Sequence, residues 1–204
     1  VSAGPEIGTF WSNLLYSIKS GSEQILFSER VTPGSQILYD RDPVDRVQKV
    51  APYLTLDGRV YPAVVDGRVK WIVDGYTTSN QYPYAAAQSL EDATVDSLTE
   101  TSTTIAALQP EKVNYIRNSV KATVDAYDGT VTLYAWDASD PVLQSWGKVF
   151  DTSLQPVSEI SSELMSHIRC PEGLFKVQRT LLGTYHVTDP GQFFSGNDAW
   201  RTPN

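Results

Sequence analysis

Asp-Gly dipeptides separate short segments of this chain, and they constrain its fold more than any other feature. Three of the four, at 57–58, 66–67 and 128–129, lie between runs in which apolar and polar residues alternate. Asp-Gly is the pair that a two-residue type I′ turn prefers, because both turn positions need a positive φ. The sequence therefore predicts β-hairpins at these three places.

The turn at 66–67 predicts a strand register. A two-residue loop pairs Val65 with Arg68, and the pairing continues outward to Pro62 and Trp71. This register puts apolar side chains on one face, which is predicted to face the core: Pro62, Val64, Val69, Trp71 and Val73.

The turn at 128–129 gives the strongest hairpin signal in the chain. A two-residue loop here pairs Ala126 with Val131 and Val124 with Leu133. One face of this hairpin is then entirely apolar, and we expect it to lie against the core beneath the flanking helices.

Helical spacing and capping residues predict helices on both sides of the hairpins. One helical face over residues 7–19 carries Ile7, Phe10, Trp11, Leu14, Leu15 and Ile18. We expect this face to pack on the sheet. Further helices are predicted to start at Ser22, Asp42, Pro110, Asp140, Ser158, Pro171 and Asp189. Strands flanked by helices indicate the α+β class.

The chain is predicted to form one α+β domain over 1–204. Helices and a β-meander occupy 1–84, a flexible loop occupies 85–110, and a helix, a hairpin and C-terminal helices occupy 111–204. The loop is predicted from composition, because 85–110 is rich in Ser, Thr and Ala and poor in aromatic residues.

Composition excludes several classes of function. Sixteen Lys and Arg against 24 Asp and Glu leave a net charge of −8, which repels phosphate backbones, so nucleic acid is not an expected partner. The single cysteine, Cys170, permits no intrachain disulfide. Apolar runs are far shorter than a membrane-spanning helix needs. The chain starts at Val1 without a signal peptide, and we interpret it as an excised fragment.

A hydroxyl-rich, aromatic segment after Trp71 is the candidate ligand site. Its members are expected in a loop that follows a strand: Asp74, Tyr76, Thr77, Thr78, Ser79, Tyr82 and Tyr84. Aromatic faces stack on sugar rings while hydroxyls and a carboxylate bind sugar hydroxyls, so a glycan would suit this segment. The alternative is a packed strand end in which these residues serve conformation alone, and the sequence favours that alternative.

Two further groups of residues have a functional and a structural interpretation. Asp40, Asp42 and Asp45 supply the oxygens that calcium prefers, but capping by Asp42 and solvated charge explain them better. His186 near Asp189 resembles a base with its orienting carboxylate, yet no nucleophile motif accompanies it. A favourable place at a helix C-terminus is the better explanation. The sequence predicts no metal and no cofactor, and it favours a non-enzymatic protein while leaving enzymatic activity open.

Eight strings of the sequence resemble one family of proteins. They are KVAPYLTLDG (49–58), YPAVVDG (61–67), WIVDGYTTS (71–79), QYPY (81–84), VNYIRNSVKATVDAYDGTV (113–131), LYAWD (133–137), LFKVQR (174–179) and YHVTDPGQFFSG (185–196). In this order they resemble the exported half of uncharacterised protein family 0182, a set of large bacterial membrane proteins. The resemblance implies transmembrane helices in the parent protein, an extracytoplasmic position for this region and a cell-membrane location. It supplies no catalytic residue or cofactor.

Three hypotheses for function follow. The preferred one is an extracytoplasmic interaction or assembly module, whose partners are other extracytoplasmic parts of the same protein or cell-envelope components. The alternative is a ligand-binding or hydrolytic domain that acts on an envelope glycan, lipid or peptide through 74–84. A third places the first helix on the membrane surface, but its few basic residues favour packing on the sheet.

Overall fold

The computed structural model describes residues 4–94, 112–150 and 153–200. The helices are α1 (Phe10–Ser20), α2 (Gln24–Phe27), α3 (Pro43–Val50), α4 (Leu90–Thr94), α5 (Pro141–Val149), α6 (Ser162–His167), α7 (Glu172–Tyr185) and α8 (Pro190–Ser195), with a 3-10 turn at Val157–Glu159. The strands are β1 (Thr55–Leu56), β2 (Tyr61–Val65), β3 (Arg68–Ser79), β4 (Gln88–Ser89), β5 (Lys112–Val113), β6 (Tyr115–Asp125), β7 (Val131–Ala135) and β8 (Leu154–Pro156). Helices packed on a mostly antiparallel sheet confirm the predicted α+β class.

The main sheet has six strands and is organised around β3. β3 pairs antiparallel with β1 and β2 along one edge and with β6 along the other. β6 pairs antiparallel with β7, and β7 pairs in parallel with β8. β4 and β5 form a separate two-stranded sheet. Because β3 has neighbours on both edges, it is a central strand, and central strands carry side chains buried on both faces of a sheet covered by helices.

The hairpin at 66–67 has the predicted register. Val65 lies opposite Arg68, and the pairing continues outward as expected. Asp66 and Gly67 have φ angles of 53° and 71°, which are the positive values that a type I′ turn requires. Local turn chemistry therefore determines this part of the fold.

The two faces of the sheet bury two separate cores. Val73 belongs to the core beneath α3 and α5, whereas Val65 and Ile72 belong to the core beneath α6. The prediction that Pro62 and Val64 face the core is wrong, because both side chains are exposed. The predicted register is correct, but the opposite face of β2, which carries Tyr61, Ala63 and Val65, is the one that packs against α6.

The hairpin at 128–129 has a longer loop than predicted. Val124 lies opposite Val131 instead of Leu133, so the pairing is shifted by two residues. The loop accordingly extends over 126–130. A shift of two keeps every side chain on its original face, because side chains alternate with a period of two. Val124 and Leu133 are therefore buried, as predicted.

The dipeptide at 57–58 does not form a hairpin turn. Thr55 pairs with Tyr76 of β3, and the amide of Asp57 donates to the carbonyl of Asp74 over 2.9 Å. β1 and β2 thus lie one after the other along the same edge of β3 and do not pair with each other. The Asp57 side chain instead accepts a hydrogen bond from the amide of Gly173 at the start of α7.

Two predictions for the middle of the chain need correction. The predicted flexible loop at 85–110 contains β4 and α4, and its remainder from residue 95 lies outside the described residues. The helix predicted from Pro110 is not formed by the described residues that follow, which belong to β5 and β6. Ten residue pairs between β6 and β3 supply hydrogen bonds and burial, and these override the helical spacing of the apolar residues.

Aspartate caps start three helices as predicted. The carboxylates of Asp42, Asp140 and Asp189 accept hydrogen bonds from helix amides, and each is followed by proline at the first helical position. α7 follows Pro171 as expected, whereas α6 starts after Ser161 and not after Ser158. None of the described helices is long and apolar enough to cross a membrane.

α1 forms where predicted but presents its apolar face outward. Four large side chains are 64–70% exposed: Phe10, Trp11, Leu15 and Ile18. The side that faces inward contains the buried Ser17 and the half-buried Asn13. α1 packs against α2, so the prediction that its apolar face packs on the sheet is wrong.

Candidate functional site

The predicted ligand-site residues lie in β3 and the segment that follows it, not in a loop after Trp71. Asp74, Tyr76, Thr77 and Thr78 are buried, and only Ser79 at the end of the strand has intermediate exposure. β3 extends to Ser79 because β6 pairs with it from Lys70 to Ser79. These polar side chains consequently meet partners from other elements, and their proposed role as ligand contacts stays a prediction.

The first polar cluster joins β1, β3 and the start of α7. The hydroxyl of Tyr76 donates to the carboxylate of Asp57, which also accepts from the amide of Gly173 over 2.8 Å. The amide of Leu174 donates to the hydroxyl of Tyr76 over 3.2 Å. Pro171 precedes the helix and offers no capping side chain. Asp57 and Tyr76 therefore cap α7 from across the fold, and the carboxylate lies at the positive end of the helix dipole.

Tyr76 is held in its neutral form by this cluster. Burial, followed by the charge of Asp57 and the hydrogen bond to it, raises the pKa of Tyr76 well above its ordinary value. The second oxygen of Asp57 accepts from the amide of Arg59 over 2.8 Å. Both carboxylate oxygens are thus in use, which favours a structural role for Asp57 over an acid–base role.

The second polar cluster is a buried ion pair between the two central strands. The ammonium of Lys121 contacts the carboxylate of Asp74, and these side chains are only 2% and 3% exposed. Asn118 donates to the same carboxylate over 3.0 Å, and Lys121 also donates to the carbonyl of Arg169 over 3.2 Å. Burial raises the pKa of Asp74, while the charge and hydrogen bonds of Lys121 and Asn118 offset part of that rise. The ion pair ties the sheet to the segment between α6 and α7.

The third polar cluster fixes the start of α5. Asp140 accepts hydrogen bonds from the hydroxyls of Thr77, Ser119 and Tyr115 as well as from the amide of Val142. Burial opposes ionisation of Asp140, but the hydrogen bonds outweigh it and lower the pKa of this carboxyl. Burial and the hydrogen bond to Asp140 raise the pKa of Tyr115 to about 12. Thr77 thus belongs to a helix cap.

Tyr82 is the predicted site residue that most resembles a ligand contact. Its side chain is 55% exposed, and its ring stacks on Tyr115 with centroids 5.8 Å apart. Asn114 anchors the backbone here, because it accepts from the amide of Tyr82 and donates to its carbonyl. Tyr84 is fully exposed with a φ of 59°. The predicted set thus divides into a buried structural group and an exposed pair of tyrosines.

Of the histidine and aspartate residues weighed from the sequence, His186, Asp189 and Asp42 lie at helix ends. His186 ends α7, where its Nδ1 lies 2.9 Å from the carbonyl of Leu182, while Asp189 caps α8. Asp42 caps α3, which confirms the favoured interpretation, and the described residues contain no cluster of three potential metal ligands. Cys170 is free and exposed.

A cleft that the sequence did not indicate lies between α3, the segment 37–40 and the turn after β6. Its volume is about 380 Å³, and its charged lining residues are Asp40, Arg46 and Lys49. Lys49 contacts the carboxylate of Asp40, and the ammonium of Lys19 lies 3.9 Å from it. The only sequence signal was the alternation of aspartate and basic residues in 40–49, which is equally typical of a solvated helix.

Comparisons with known proteins assign the chain to a family. The model of the Uncharacterised protein family (UPF0182) matches residues 1–204. Similar relatives include a UPF0182 protein of Bifidobacterium adolescentis, 66% identical over 200 residues, and one of Arthrobacter sp., 64% identical over 203 residues. These alignments cover 98% and 100% of this chain but 18% and 20% of the relatives, so the chain spans about a fifth of their length. No solved structure matches the chain. The matches confirm the resemblance noted in the sequence, and the chain belongs to uncharacterised protein family UPF0182.

Proposed function

We propose that this chain is an interaction or assembly module in an extracytoplasmic part of a larger membrane protein. In this proposal the apolar face of α1 binds the partner. The observation that carries the proposal is the orientation of α1, whose four large apolar side chains point away from the rest of the described chain. Contiguous exposed apolar surface of this kind marks interaction sites in soluble domains.

The inward side of α1 supports the same proposal. Among the described residues, the side-chain oxygens of Asn13 and Ser17 are buried without a hydrogen-bond partner. A buried polar atom without a partner costs free energy, so the contact of α1 with its own chain is weak. Covering Phe10, Trp11, Leu15 and Ile18 would contribute about 1.5–3 kcal/mol for each side chain fully buried. Burial of the outward side chains of α1 against a partner would therefore contribute more free energy than the inward contacts of α1 do.

The preferred partner is another part of the same long protein. About four fifths of the length of the matched relatives lies outside the region that this chain covers, which leaves ample sequence for a complementary surface. A partner in the same polypeptide is present at a high effective concentration, so a modest apolar face suffices to bind it. The membrane and the extracytoplasmic position enter this proposal through the family resemblance.

Photo-crosslinking of the full-length protein tests the interaction. A photoreactive amino acid at Leu15 is expected to crosslink to another segment of the same protein, whereas one at the exposed Lys148 on α5 serves as the control. Mass spectrometry of the crosslinked peptides identifies the partner segment. Equal and unspecific labelling from both positions would contradict the proposal.

Cysteine labelling tests the location. Cys170 is exposed, so it can react with a membrane-impermeant maleimide in intact cells that carry the full-length protein with no other cysteine. Labelling before lysis is expected, and the Cys170→Ser variant gives the background. Labelling only after lysis would overturn the extracytoplasmic position.

The second candidate is a ligand-binding or hydrolytic domain that acts on an envelope glycan, lipid or peptide. The exposed ring of Tyr82, stacked on Tyr115, is the observation that favours it, because such pairs offer a platform for a sugar. Binding of a peptidoglycan-derived disaccharide that Tyr82→Ala abolishes would support this candidate. Binding that is unchanged in Tyr82→Ala would remove the role of this site.

A further inference from the structure

The cleft beside α3 combines charge with an apolar wall. Its volume is about 380 Å³, which is enough for a small organic molecule. The apolar part of the lining comes from Ile37, Tyr39, Val50 and Val131. Arg46 and Lys49 enter from consecutive turns of α3, which places both cations on the same side of the opening.

The cleft is positively charged in an acidic protein. The chain carries a net charge of −8, yet the lining of the cleft has Arg46 and Lys49 against the single carboxylate of Asp40, an excess of one positive charge. Outside the lining, the ammonium of Lys19 lies 3.9 Å from the same carboxylate. The side chains of Lys19 and Lys49 are 53% and 58% exposed, so an incoming anion can reach them. Asp42 is not among the lining residues and is engaged in capping α3.

Arg46 is held in place at the inner wall of the cleft. Its Nη1 donates to the carbonyl of Gly129 over 2.9 Å. This contact leaves the other donors of the guanidinium for a second acceptor, because the group carries five N–H bonds. A fixed, half-buried guanidinium is well suited to bind phosphate or carboxylate.

The backbone of Asp40 lies in the left-handed region. Its φ of 49° is positive, and aspartate adopts such values more readily than most residues other than glycine. The hydrogen bond from Lys49 lowers the pKa of Asp40, which keeps the carboxylate ionised. Asp40 therefore acts as an internal anion between the lysines.

We propose that this cleft binds a small organic anion that carries a phosphate or carboxylate group. Arg46 and Lys49 bind the anionic group, and the wall formed by Ile37, Tyr39, Val50 and Val131 contacts the apolar part. Asp40 competes with the ligand for the lysines and thereby limits its affinity. The proposal does not depend on the partner of α1.

Titration calorimetry of the 204-residue chain with phenyl phosphate and benzoate tests this site. The two probes share a ring and differ in the anionic group, so they distinguish a phosphate ligand from a carboxylate ligand. At least one is expected to bind with a dissociation constant in the millimolar range or tighter. Inorganic phosphate should bind more weakly than phenyl phosphate if the apolar wall contributes. Absence of binding by both ring compounds would overturn the proposal.

Three variants separate the charge mechanism from an effect on folding. Lys49→Gln removes a charged hydrogen-bond donor, so binding should weaken about tenfold. Asp40→Asn removes the competing anion, keeps a residue that tolerates positive φ, and should tighten binding by several fold. Lys148→Gln changes an exposed lysine on α5 and should leave binding unchanged. If Asp40→Asn and Lys49→Gln changed the affinity in the same direction, competition between Asp40 and the ligand for the lysines would be excluded.

Discussion

The centre of the sheet and α1 both place polar side chains on their inner sides, but only the sheet gives them partners. Asp74 is buried against Lys121 and Asn118, and Asp140 accepts four hydrogen bonds. By contrast, the inward Asn13 and Ser17 of α1 have buried oxygens without a partner among the described residues. Buried polar groups that all have hydrogen-bond partners indicate a region that is stable within its own chain. Buried polar groups without such partners indicate a region that gains further contacts from another segment or protein.

Breaking the central ion pair should give the largest effect. Lys121→Met leaves the buried carboxylate of Asp74 without its cation, so the free energy of unfolding should fall by about 3–5 kcal/mol. Urea denaturation followed by circular dichroism measures this change. In the double variant Asp74→Leu/Lys121→Met the unpaired charge is gone, and most of the stability should return. A double variant as unstable as the single one would show that the ion pair itself stabilises the sheet.

The cap of α7 should contribute less than the ion pair. Tyr76→Phe removes the hydroxyl that links Asp57 to the amide of Leu174, so the free energy of unfolding should fall by about 1–2 kcal/mol. Tyr84→Phe changes a fully exposed tyrosine and provides a comparison of equal size. A loss for Tyr76→Phe no greater than that for Tyr84→Phe would contradict the capping role.

The half-exposed ion pair of Arg68 and Asp125 should have a small effect that depends on pH. The hydrogen bond from Arg68 lowers the pKa of Asp125 from 3.8 to about 2. A lowered carboxyl pKa stabilises the fold above the ordinary value, and that contribution is lost as the pH falls from 3.8 toward 2. Arg68→Gln should therefore cost less than about 1 kcal/mol at neutral pH and less still in acid. Urea denaturation at several pH values measures the loss for Arg68→Gln, with Arg30→Gln as the control. A loss of unfolding free energy that grows as the pH falls would contradict this prediction.

Truncating the outward face of α1 should have the smallest effect on the chain alone. Leu15→Ala removes an exposed side chain, so the free energy of unfolding should change by no more than about 0.5 kcal/mol. The same substitution at the buried Leu143 should cost about 2–5 kcal/mol. Thermal denaturation of the two variants compares them directly. A large loss for Leu15→Ala would show that α1 is part of the core and would remove the basis of the docking proposal.

Local chemistry determined which parts of the fold could be predicted. The 66–67 turn has its predicted register because both turn residues adopt the φ angles that Asp-Gly favours. The aspartate caps of α3, α5 and α8 follow from adjacent residues in the same way. Asp57 instead lies opposite α7, which is more than a hundred residues away in sequence, so its local Asp-Gly signal predicted a turn that does not form.

The candidate site was harder to predict because burial changes the meaning of polar residues. Thr77 and Asp74 suggested a loop, but pairing of β3 with β6 places them in a central strand. Lys121 lies on the same face as Thr123 and Asp125, a pattern typical of a solvated face, but its ammonium is buried against Asp74 and donates to the carbonyl of Arg169. The orientation of α1 was missed for a related reason, since spacing identifies an apolar face without identifying what covers it.

The cap that Asp57 provides has a consequence for synthesis of the protein. Asp57 and Gly173 are 116 residues apart, and N-terminal segments leave the ribosome first. A nascent chain thus exposes β1 and β3 well before the helix that receives the Asp57 carboxylate has been made. α7 can cover this face of the sheet only after the ribosome has translated it. We therefore expect the nascent chain to remain partly folded until then, with apolar surface that chaperones can bind.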